Sequence, residues 1–315
     1  MYKKLKSIIE EYKTIIIHRH SRPDGDALGS QFGLKKAIEL NYPDKCVYAV
    51  GDTNQRLSFV GNVDEVEDSI YEGALCIVLD TSDSVMISDD RYKKGAFIVK
   101  IDHHLPKAPY GDFEIVDTSF ESCAGLISDI LINLDMKMNN EIATNLFTGI
   151  VTDSGRFRYS STNPRTYRIV SKLAEFDIDT NYIYNKLYIS ELAIVKLKAQ
   201  LTLNFKLTRA NVAYLKNTAE DIKKYEADFF TISRGMVGIM SGIEGVNVWV
   251  NFTEDVENKC VVAEIRSNGL NINQIACKYG GGGHLNASGA SLKDFKEADL
   301  MLEDLNKLVE GTYGN

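Results

Sequence analysis

The sequence predicts an α/β protein with an N-terminal doubly wound parallel sheet and a smaller α+β C-terminal domain that contains a mixed sheet. Two observations predict the first part. Nearly continuous apolar runs of strand length occur at residues 14–17, 74–79 and 96–101, and helix-compatible segments separate them. Strands that are buried on both faces of a parallel sheet have this continuous apolar pattern. A third observation, alternating strand pairs after residue 205, predicts the second part.

The chain of 315 residues is long enough for two domains with separate cores. We expect a short amphipathic helix at the N-terminus, a first domain over residues 1–190, a helical connector over 191–204 and a second domain over 205–315. The helix-compatible segment 179–205 is predicted to close the first domain and to continue as the connector. No Gly/Ser-rich or Pro-rich linker occurs there, so the hinge should be short or helical.

The C-terminal elements follow from local patterns. Strands are predicted at 205–208 and 211–215, and the alternating segments 246–253 and 260–266 flank a polar loop and predict an antiparallel hairpin. Asn271 is expected to cap a helix over 272–279, which Gly280 would end.

Composition limits the possible partners and location. The net charge of −8 argues against a protein that coats long duplex nucleic acid, although it leaves short substrates open. No apolar run is long enough to cross a bilayer, so no membrane partner is expected. The five cysteines are widely separated and predict reduced thiols and a cytoplasmic location.

The segment after the first predicted strand is rich in potential metal ligands. His18, His20, Asp24 and Asp26 follow the apolar run 14–17 within a few residues of one another. Pro23 and Gly25 keep this segment out of regular structure. Alone, it could also be a polar loop around a helix start, because Asp is a favoured cap residue.

Three further segments place acids or imidazoles in similar settings. Asp80 follows the run 74–79, Asp102-His103-His104 follows the run 96–101, and Asp153 follows an apolar helical pattern over 146–152. The carboxyl ends of parallel strands line one crevice, so we expect these groups to meet at one edge of the sheet.

The residue types indicate the chemistry. Carboxylates and imidazoles without cysteine suit Mn²⁺, Mg²⁺ or Fe²⁺ better than a structural Zn²⁺, and the imidazoles favour Mn²⁺ over Mg²⁺. A set of about six or seven ligands exceeds the need of one tetrahedral ion. Two ions that share a hydroxide nucleophile are typical of phosphoester hydrolysis.

These motifs resemble a known superfamily. His20-x-x-x-Asp24-x-Asp26, Asp80, Asp102-His103-His104 and Asp153 resemble the four motifs of the DHH phosphoesterases, and residues 281–289 resemble the signature of the accompanying DHHA1 domain. The chain is most similar to the short two-domain branch of nano-RNases that also act as phosphatases of 3′-phosphoadenosine 5′-phosphate (pAp), and to linear-dinucleotide phosphodiesterases. Ser288 stands where the family pattern usually has Ala, and it keeps a small side chain.

The resemblance implies a role for each residue of the first domain. Two Mn²⁺ ions, or other divalent ions such as Mg²⁺, would be held by two sets that share Asp80: His20, Asp24 and Asp80, and Asp26, Asp80, His103 and Asp153. His104 would face the substrate phosphate or assist the leaving group. Asp102 would orient a ligating or catalytic imidazole. Asp80, Asp102 and His104 are therefore the expected catalytic residues. His18 is interpreted as a packed side chain, or as one that supports a ligand.

The second domain is expected to bind substrate. The resemblance implies that Arg266, Ser267, Gly282, Gly283 and His284 contact a substrate phosphate. An Arg fork suits phosphate geometry, and glycine backbone approaches it closely. The alternatives are that the glycine run is only a helix C-cap and turn, and that the Arg is a solvated residue at a strand end.

The predicted function is metal-dependent hydrolysis of short nucleotides. The substrates would be short RNA, linear dinucleotides such as pApA and pGpG, and pAp, which the sequence does not rank. The alternatives are a manganese-dependent inorganic pyrophosphatase and a catalytically silent nucleotide-binding sensor. A homodimer is expected only from its frequency among soluble enzymes. The sequence does not fix where Arg156, Arg158 and Arg165 point.

Overall fold

The computed structural model describes residues 1–105 and 107–313. The chain divides into two compact units, Met1–Ile189 and a second unit that begins at Ser190. Within the described ranges, no helix is both long and apolar enough to cross a membrane.

The first unit is built on a five-stranded, fully parallel sheet with the strand order β2-β1-β3-β4-β5. The strands are β1 Thr14–His18, β2 Cys46–Ala49, β3 Leu75–Leu79, β4 Phe97–Asp102 and β5 Phe113–Val116. The three apolar runs of the sequence form β1, β3 and β4, which are adjacent in the sheet. The prediction of a parallel α/β sheet is therefore confirmed.

The α-helices of this unit, within residues 1–105 and 107–189, are α1 Tyr2–Glu11, α2 Gly25–Asn41, α3 Cys123–Asn133, α4 Asn140–Asp153, α5 Pro164–Ala174 and α6 Thr180–Tyr188. The main core lies on the sheet face of Ile15 and Ile17, where residues of α1 to α4 pack. The opposite face, with Ile16, is covered by Tyr71 and Tyr92 from short 3₁₀ turns in the connections before and after β3. Successive residues of a strand point to opposite faces, so β1 contributes to both cores.

The second unit contains a mixed six-stranded sheet with the order β10-β11-β9-β8-β7-β6. Its elements are α7 Leu192–Asn204, β6 Lys206–Leu207, β7 Ala213–Asn217, α8 Ala219–Lys224, β8 Val248–Asp255, β9 Cys260–Ser267, α9 Asn273–Lys278, β10 Gly282–His284, β11 Ala287–Leu292 and α10 Phe295–Tyr313. Only β7 and β8 pair in parallel, and the predicted hairpin is the antiparallel pair β8–β9. Asn271 accepts a hydrogen bond from the Asn273 amide, but the N-cap residue of α9 is Ile272, not Asn271 as the sequence had predicted.

Several local predictions differ from the structure. The ligand segment was expected to stay out of regular structure at Pro23 and Gly25, but Gly25 and Asp26 already belong to α2, because the Asp24 side chain caps the first turn of this helix. The predicted continuous helix over 179–205 is interrupted, because Ile189 and Glu191 have extended backbone between α6 and α7. The physical reason is that the two helices serve different cores: Ile183 packs in the first unit, and Leu197 packs in the second. In addition, part of the glycine run forms strand β10, so it is more than a helix cap and turn.

Candidate metal centre

The ends of three adjacent strands and of two helices supply the predicted ligands. His20 lies two residues beyond β1, Asp80 follows β3, and His103 follows β4. Asp153 is the last residue of α4, and Asp24 is the N-cap of α2. The Asp24 Oδ1 atom accepts hydrogen bonds of 3.0 Å from two amides of the first turn of α2. The cap and ligand interpretations of this residue are therefore compatible, because its second oxygen stays available.

The structure brings these side chains together in two groups. In the first, the His20 Nε2 atom lies 3.4 Å from Asp80 Oδ2 and 3.9 Å from Asp24 Oδ1. In the second, the His103 Nε2 atom lies 3.4 Å from Asp153 Oδ2 and 3.7 Å from Asp26 Oδ2. Two ligands of one divalent ion, each at about 2.1 Å, lie roughly 3 to 3.5 Å apart. The contacts at 3.4 Å match this spacing, and those at 3.7 and 3.9 Å are longer. In each group the potential ligand atoms all lie within 4.8 Å of one another, so each group is a candidate ion site.

Asp80 connects the two groups through its separate carboxylate oxygens. Its Oδ2 atom faces His20, whereas its Oδ1 atom lies 3.4 Å from His103 Nε2 and 3.6 Å from His104 Nδ1. The Oδ1 atom is buried and has no hydrogen-bond partner among residues 1–105 and 107–313. A buried carboxylate oxygen without a partner is costly unless it binds a cation. The donor set and this orphaned oxygen therefore fit a carboxylate shared by two divalent ions.

Both carboxylate oxygens of Asp26 are held by backbone amides before any ion binds. Its Oδ2 atom accepts the Cys123 amide at 2.7 Å, and its Oδ1 atom accepts the Ala124 amide at 2.9 Å, both at the start of α3. Gly149 of α4 permits this arrangement, because a Cβ there would lie 2.5 Å from the Ala124 Cβ and 2.9 Å from Asp26 Oδ1. The close approach of α2, α3 and α4 thus positions the carboxylate.

The electrostatics of the site couple imidazoles to carboxylates. Burial lowers the pKa of His20, but the Asp80 carboxylate 3.4 Å away outweighs it and raises the pKa to about 9. The carboxylates of Asp80, Asp26 and Asp153 outweigh burial in the same way at His103 and raise its pKa to about 10. Burial raises the pKa of Asp26 well above its usual range and that of Asp153 to about 6. Without cations, protons therefore compensate the buried carboxylates.

His104 is oriented by a buried acid. Its Nδ1 atom lies 2.8 Å from Asp102 Oδ1, and this hydrogen bond raises the pKa of His104. Sequence reasoning missed Lys100, which is 1 % exposed and places its Nζ atom 3.3 Å from Asp102 Oδ2. The sequence contained a signal for this residue, because a lysine inside an apolar strand run is unusual. It lies two residues before Asp102 and hence on the same face of the strand. The lysine compensates the buried charge of Asp102.

A cavity of about 210 Å³ opens beside the ligands, and its lining contains His20, Asp24, Asp80, Thr81, Ser82, Met86, His104 and Asp153. This space gives a phosphate-sized group access to both ligand groups. His18 does not line this cavity. It lies on the sheet face that Tyr71 and Tyr92 cover, with its ring centroid 5.8 Å from that of Tyr71. Burial lowers the pKa of His18 to about 4, so it is a neutral packed side chain.

Two of the arginines after Asp153, Arg156 and Arg165, are not in the lining of this cavity. The Arg165 guanidinium donates to the Ser119 carbonyl and lies 3.5 Å above the Phe120 ring. The Arg156 guanidinium lies 4.6 Å from the centre of the Tyr188 ring.

A second cavity, of about 560 Å³, lies within the second unit. Its lining contains four of the five predicted substrate residues: Arg266, Gly282, Gly283 and His284. Ser267 is not in this lining. It is buried, and its hydroxyl donates to the Leu270 carbonyl.

The cavity wall depends on two small residues. Gly283 has a φ of +137°, and a Cβ there would lie 2.6 Å from the Ala287 carbonyl oxygen. Ser288 donates its hydroxyl to the His284 carbonyl at 2.7 Å, so it ties the turn between β10 and β11. Arg234 and Glu264 also line the cavity, and sequence reasoning had not identified either.

Comparison with known proteins identifies the families of the two domains. Residues 14–150 match the DHH family, N-terminal domain, and residues 228–311 match the DHHA1 domain. The bifunctional oligoribonuclease and PAP phosphatase NrnA of Bacillus subtilis is 39 % identical, with 96 % of each chain covered. A probable protein of the same name from Streptococcus mutans is 36 % identical over 98 % of this chain and 99 % of its own. The crystal structure of an exopolyphosphatase-related protein from Bacteroides fragilis aligns with a TM-score of 0.82 at 26 % identity, covering 98 % of this chain and 97 % of that one.

Proposed function

Because the chain belongs to the DHH phosphoesterase family and carries a DHHA1 domain, we propose that it hydrolyses short nucleotide substrates at the Asp80 cluster. This cluster consists of the two groups of potential ligands together: His20, Asp24, Asp26, Asp80, His103 and Asp153. The observation that carries this proposal is the position of Asp80, whose two oxygens face two separate groups of imidazoles and carboxylates. The substrates would be short RNA and pAp, by analogy with the named relatives. Linear dinucleotides such as pApA and pGpG are proposed from the family resemblance of the sequence.

Each residue has a proposed task. Two Mn²⁺ ions would be held by His20, Asp24 and Asp80 and by Asp26, Asp80, His103 and Asp153. When bound, such ions activate water as a nucleophile and neutralise charge on the phosphoryl oxygens. Imidazole ligands favour Mn²⁺ over Mg²⁺.

His104 supplies the remaining polar group at the cavity. Asp102 holds the His104 Nδ1 atom at 2.8 Å, so the Nε2 atom of this ring is left for a substrate oxygen. A ring fixed in this way can donate a hydrogen bond to a phosphate oxygen, or a proton to the departing alkoxide oxygen, which then leaves as a hydroxyl group. Lys100 supports the arrangement because it balances the charge of Asp102.

The residues of the second cavity are proposed to bind the rest of the nucleotide. Arg266, Gly282, Gly283 and His284 line one concave surface, where an arginine and close-approaching glycine backbone suit an anionic group. We assign Ser267 a supporting task, because its hydroxyl bonds the Leu270 carbonyl beside this wall.

A hydrolysis panel tests the proposal. We would supply Mn²⁺ to the full-length protein and compare pAp, pApA, pGpG, a short RNA and pyrophosphate. Asp80→Ala should abolish turnover, since it removes the carboxylate that both groups share. Asp44→Ala, which removes an exposed loop carboxylate, is the matched control and should keep full activity.

The same panel separates the alternatives. Cleavage of pyrophosphate alone would favour an inorganic pyrophosphatase. Nucleotide binding without turnover at any metal concentration would favour a sensor. Full activity of Asp80→Ala would contradict the assignment of the cluster.

A further inference from the structure

We propose that Arg234 is a specificity-determining residue of this protein, and that it recognises a terminal phosphomonoester on the substrate. The inference rests on the proposed nucleotide hydrolysis and deepens it, because it selects substrates that end in a phosphate. It begins with the cavity of the second unit, where Arg234 faces the same space as Arg266 and His284.

Glu264 organises the two arginines. It is only 8 % exposed, and its two carboxylate oxygens are divided between them. Its Oε1 atom accepts a hydrogen bond from Arg234 Nε at 3.2 Å, and its Oε2 atom accepts one from Arg266 Nη2 at 3.1 Å. A buried acid in an anion-binding cavity would repel a phosphate unless cations outnumber it. Here two guanidinium groups flank one carboxylate and leave a net positive charge.

The two arginines differ in what they still offer to a ligand. Arg266 uses Nη2 on Glu264, and its Nη1 atom donates to the Ile265 carbonyl at 2.9 Å and lies 3.5 Å from the Ser288 carbonyl oxygen. Arg234 uses only Nε, and within the described part of the chain its Nη1 and Nη2 atoms make no hydrogen bond. Arg234, which the sequence analysis had not identified, is therefore the arginine whose two terminal nitrogens are available to a ligand.

An open fork suits a terminal phosphate. The two terminal nitrogens of a guanidinium can donate in parallel to two oxygens of one phosphate group. A phosphomonoester offers three oxygens and a charge of about −1.5 to −2 near pH 7. An internal phosphodiester offers only two free oxygens and a single charge. The Arg234 side chain is 57 % exposed, so an incoming ligand can reach the fork without displacing Glu264.

Paired substrates isolate the contribution of Arg234. We would measure kcat and KM for pApA and for ApA, which lacks the 5′-phosphate, with the Mn²⁺-loaded full-length protein. The wild type should prefer pApA. Arg234→Ala should raise KM for pApA by about tenfold or more, the usual loss for a hydrogen-bonded charge pair, and should leave ApA within about twofold. Arg234→Lys should restore only part of the preference, because it keeps the charge without the fork.

Arg209→Ala is the matched control. Arg209 has a similarly exposed side chain, 55 %, and is also held by carboxylates, but its partners are Glu303 and Glu310 of α10. This variant should keep the wild-type ratio of pApA to ApA. Circular dichroism of all variants would show that the fold is retained.

A binding measurement separates this inference from the proposed function. Calorimetry with the metal-free protein should show AMP binding more tightly than adenosine, and Arg234→Ala should remove that difference. If no nucleotide is hydrolysed but this difference is present and depends on Arg234, the hydrolysis proposal fails and the assignment of Arg234 stands. The assignment of Arg234 would be overturned if Arg234→Ala raised KM equally for pApA and ApA, or for neither. It would also be overturned if the wild type bound AMP and adenosine equally well.

Discussion

Binding of divalent cations to the Asp80 cluster should expel protons. In the metal-free protein, the pKa values of His20 and His103 are raised to about 9 and about 10, chiefly because Asp80 outweighs the effect of burial. Near pH 7 both rings are therefore protonated, whereas a ligating imidazole must be neutral. Each proposed set contains one of these rings, so filling both sets should release about two protons. Asp26, whose pKa burial also raises, adds to this release, so two is a lower bound.

The sign and size of the pH effect follow from the same values. Raising the pH removes the competing protons, so the apparent affinity of each set should increase by about tenfold per pH unit for each proton that the set releases, between about pH 7 and pH 9. The increase should level off once the pH passes the pKa of the ring. Lowering the pH should weaken binding by the same factor.

Calorimetry measures the release directly. Mn²⁺ is titrated into metal-free protein near pH 7 in two buffers with different ionisation enthalpies, such as PIPES and HEPES. The difference in heat gives the number of protons released. Asp80→Asn should reduce this number, because it removes the main cause of both raised pKa values, whereas Asp44→Asn should not. A release clearly below two protons in the wild type would refute the reasoning.

Two further predictions concern the scaffold around the site. Burial lowers the pKa of His18 to about 4 from an ordinary 6.5, so the stability it contributes is present above pH 6.5 and is lost as the pH falls toward 4. Between pH 7 and pH 5 the free energy of unfolding should fall by about 2 kcal/mol because of His18. Chemical denaturation of His18→Leu should show a correspondingly smaller fall over this range. An unchanged pH dependence in this variant would contradict the assignment of His18 as a buried neutral side chain. Gly149→Ala should lower the free energy of unfolding by about 1–3 kcal/mol and weaken cation binding, because its Cβ would press on Ala124 and Asp26. Gly238→Ala, where nothing lies within 4 Å of the added Cβ, should melt like the wild type, and equal losses in both variants would count against a packing role for Gly149.

Much of the first unit was predictable because its signals are local. Apolar runs of strand length marked β1, β3 and β4, and residues at the ends of parallel strands must meet at one edge. Asp80 and His103 could therefore be placed near one another from the sequence. The family resemblance then added how the ligands would be divided between two ions.

The break between α6 and α7 was not predictable in the same way. The segment is helix-compatible throughout, and local propensity does not state which core a leucine will enter. The structure places Ile183 in the first core and Leu197 in the second, and the backbone extends between them.

The sequence alone determined which chemical groups this protein carries and the order in which its strands deliver them, because residue type and short-range periodicity are properties of the chain itself. Only the tertiary structure decided which of these groups are hydrogen-bonded to one another. Asp26 meets the amide of Ala124, 98 residues away, and Glu264 meets Arg234, 30 residues away. The hydroxyl of Ser267, in contrast, bonds a nearby carbonyl outside the cavity lining. Such pairings depend on how helices and strands pack, and that packing is the sum of contacts between residues far apart in the chain.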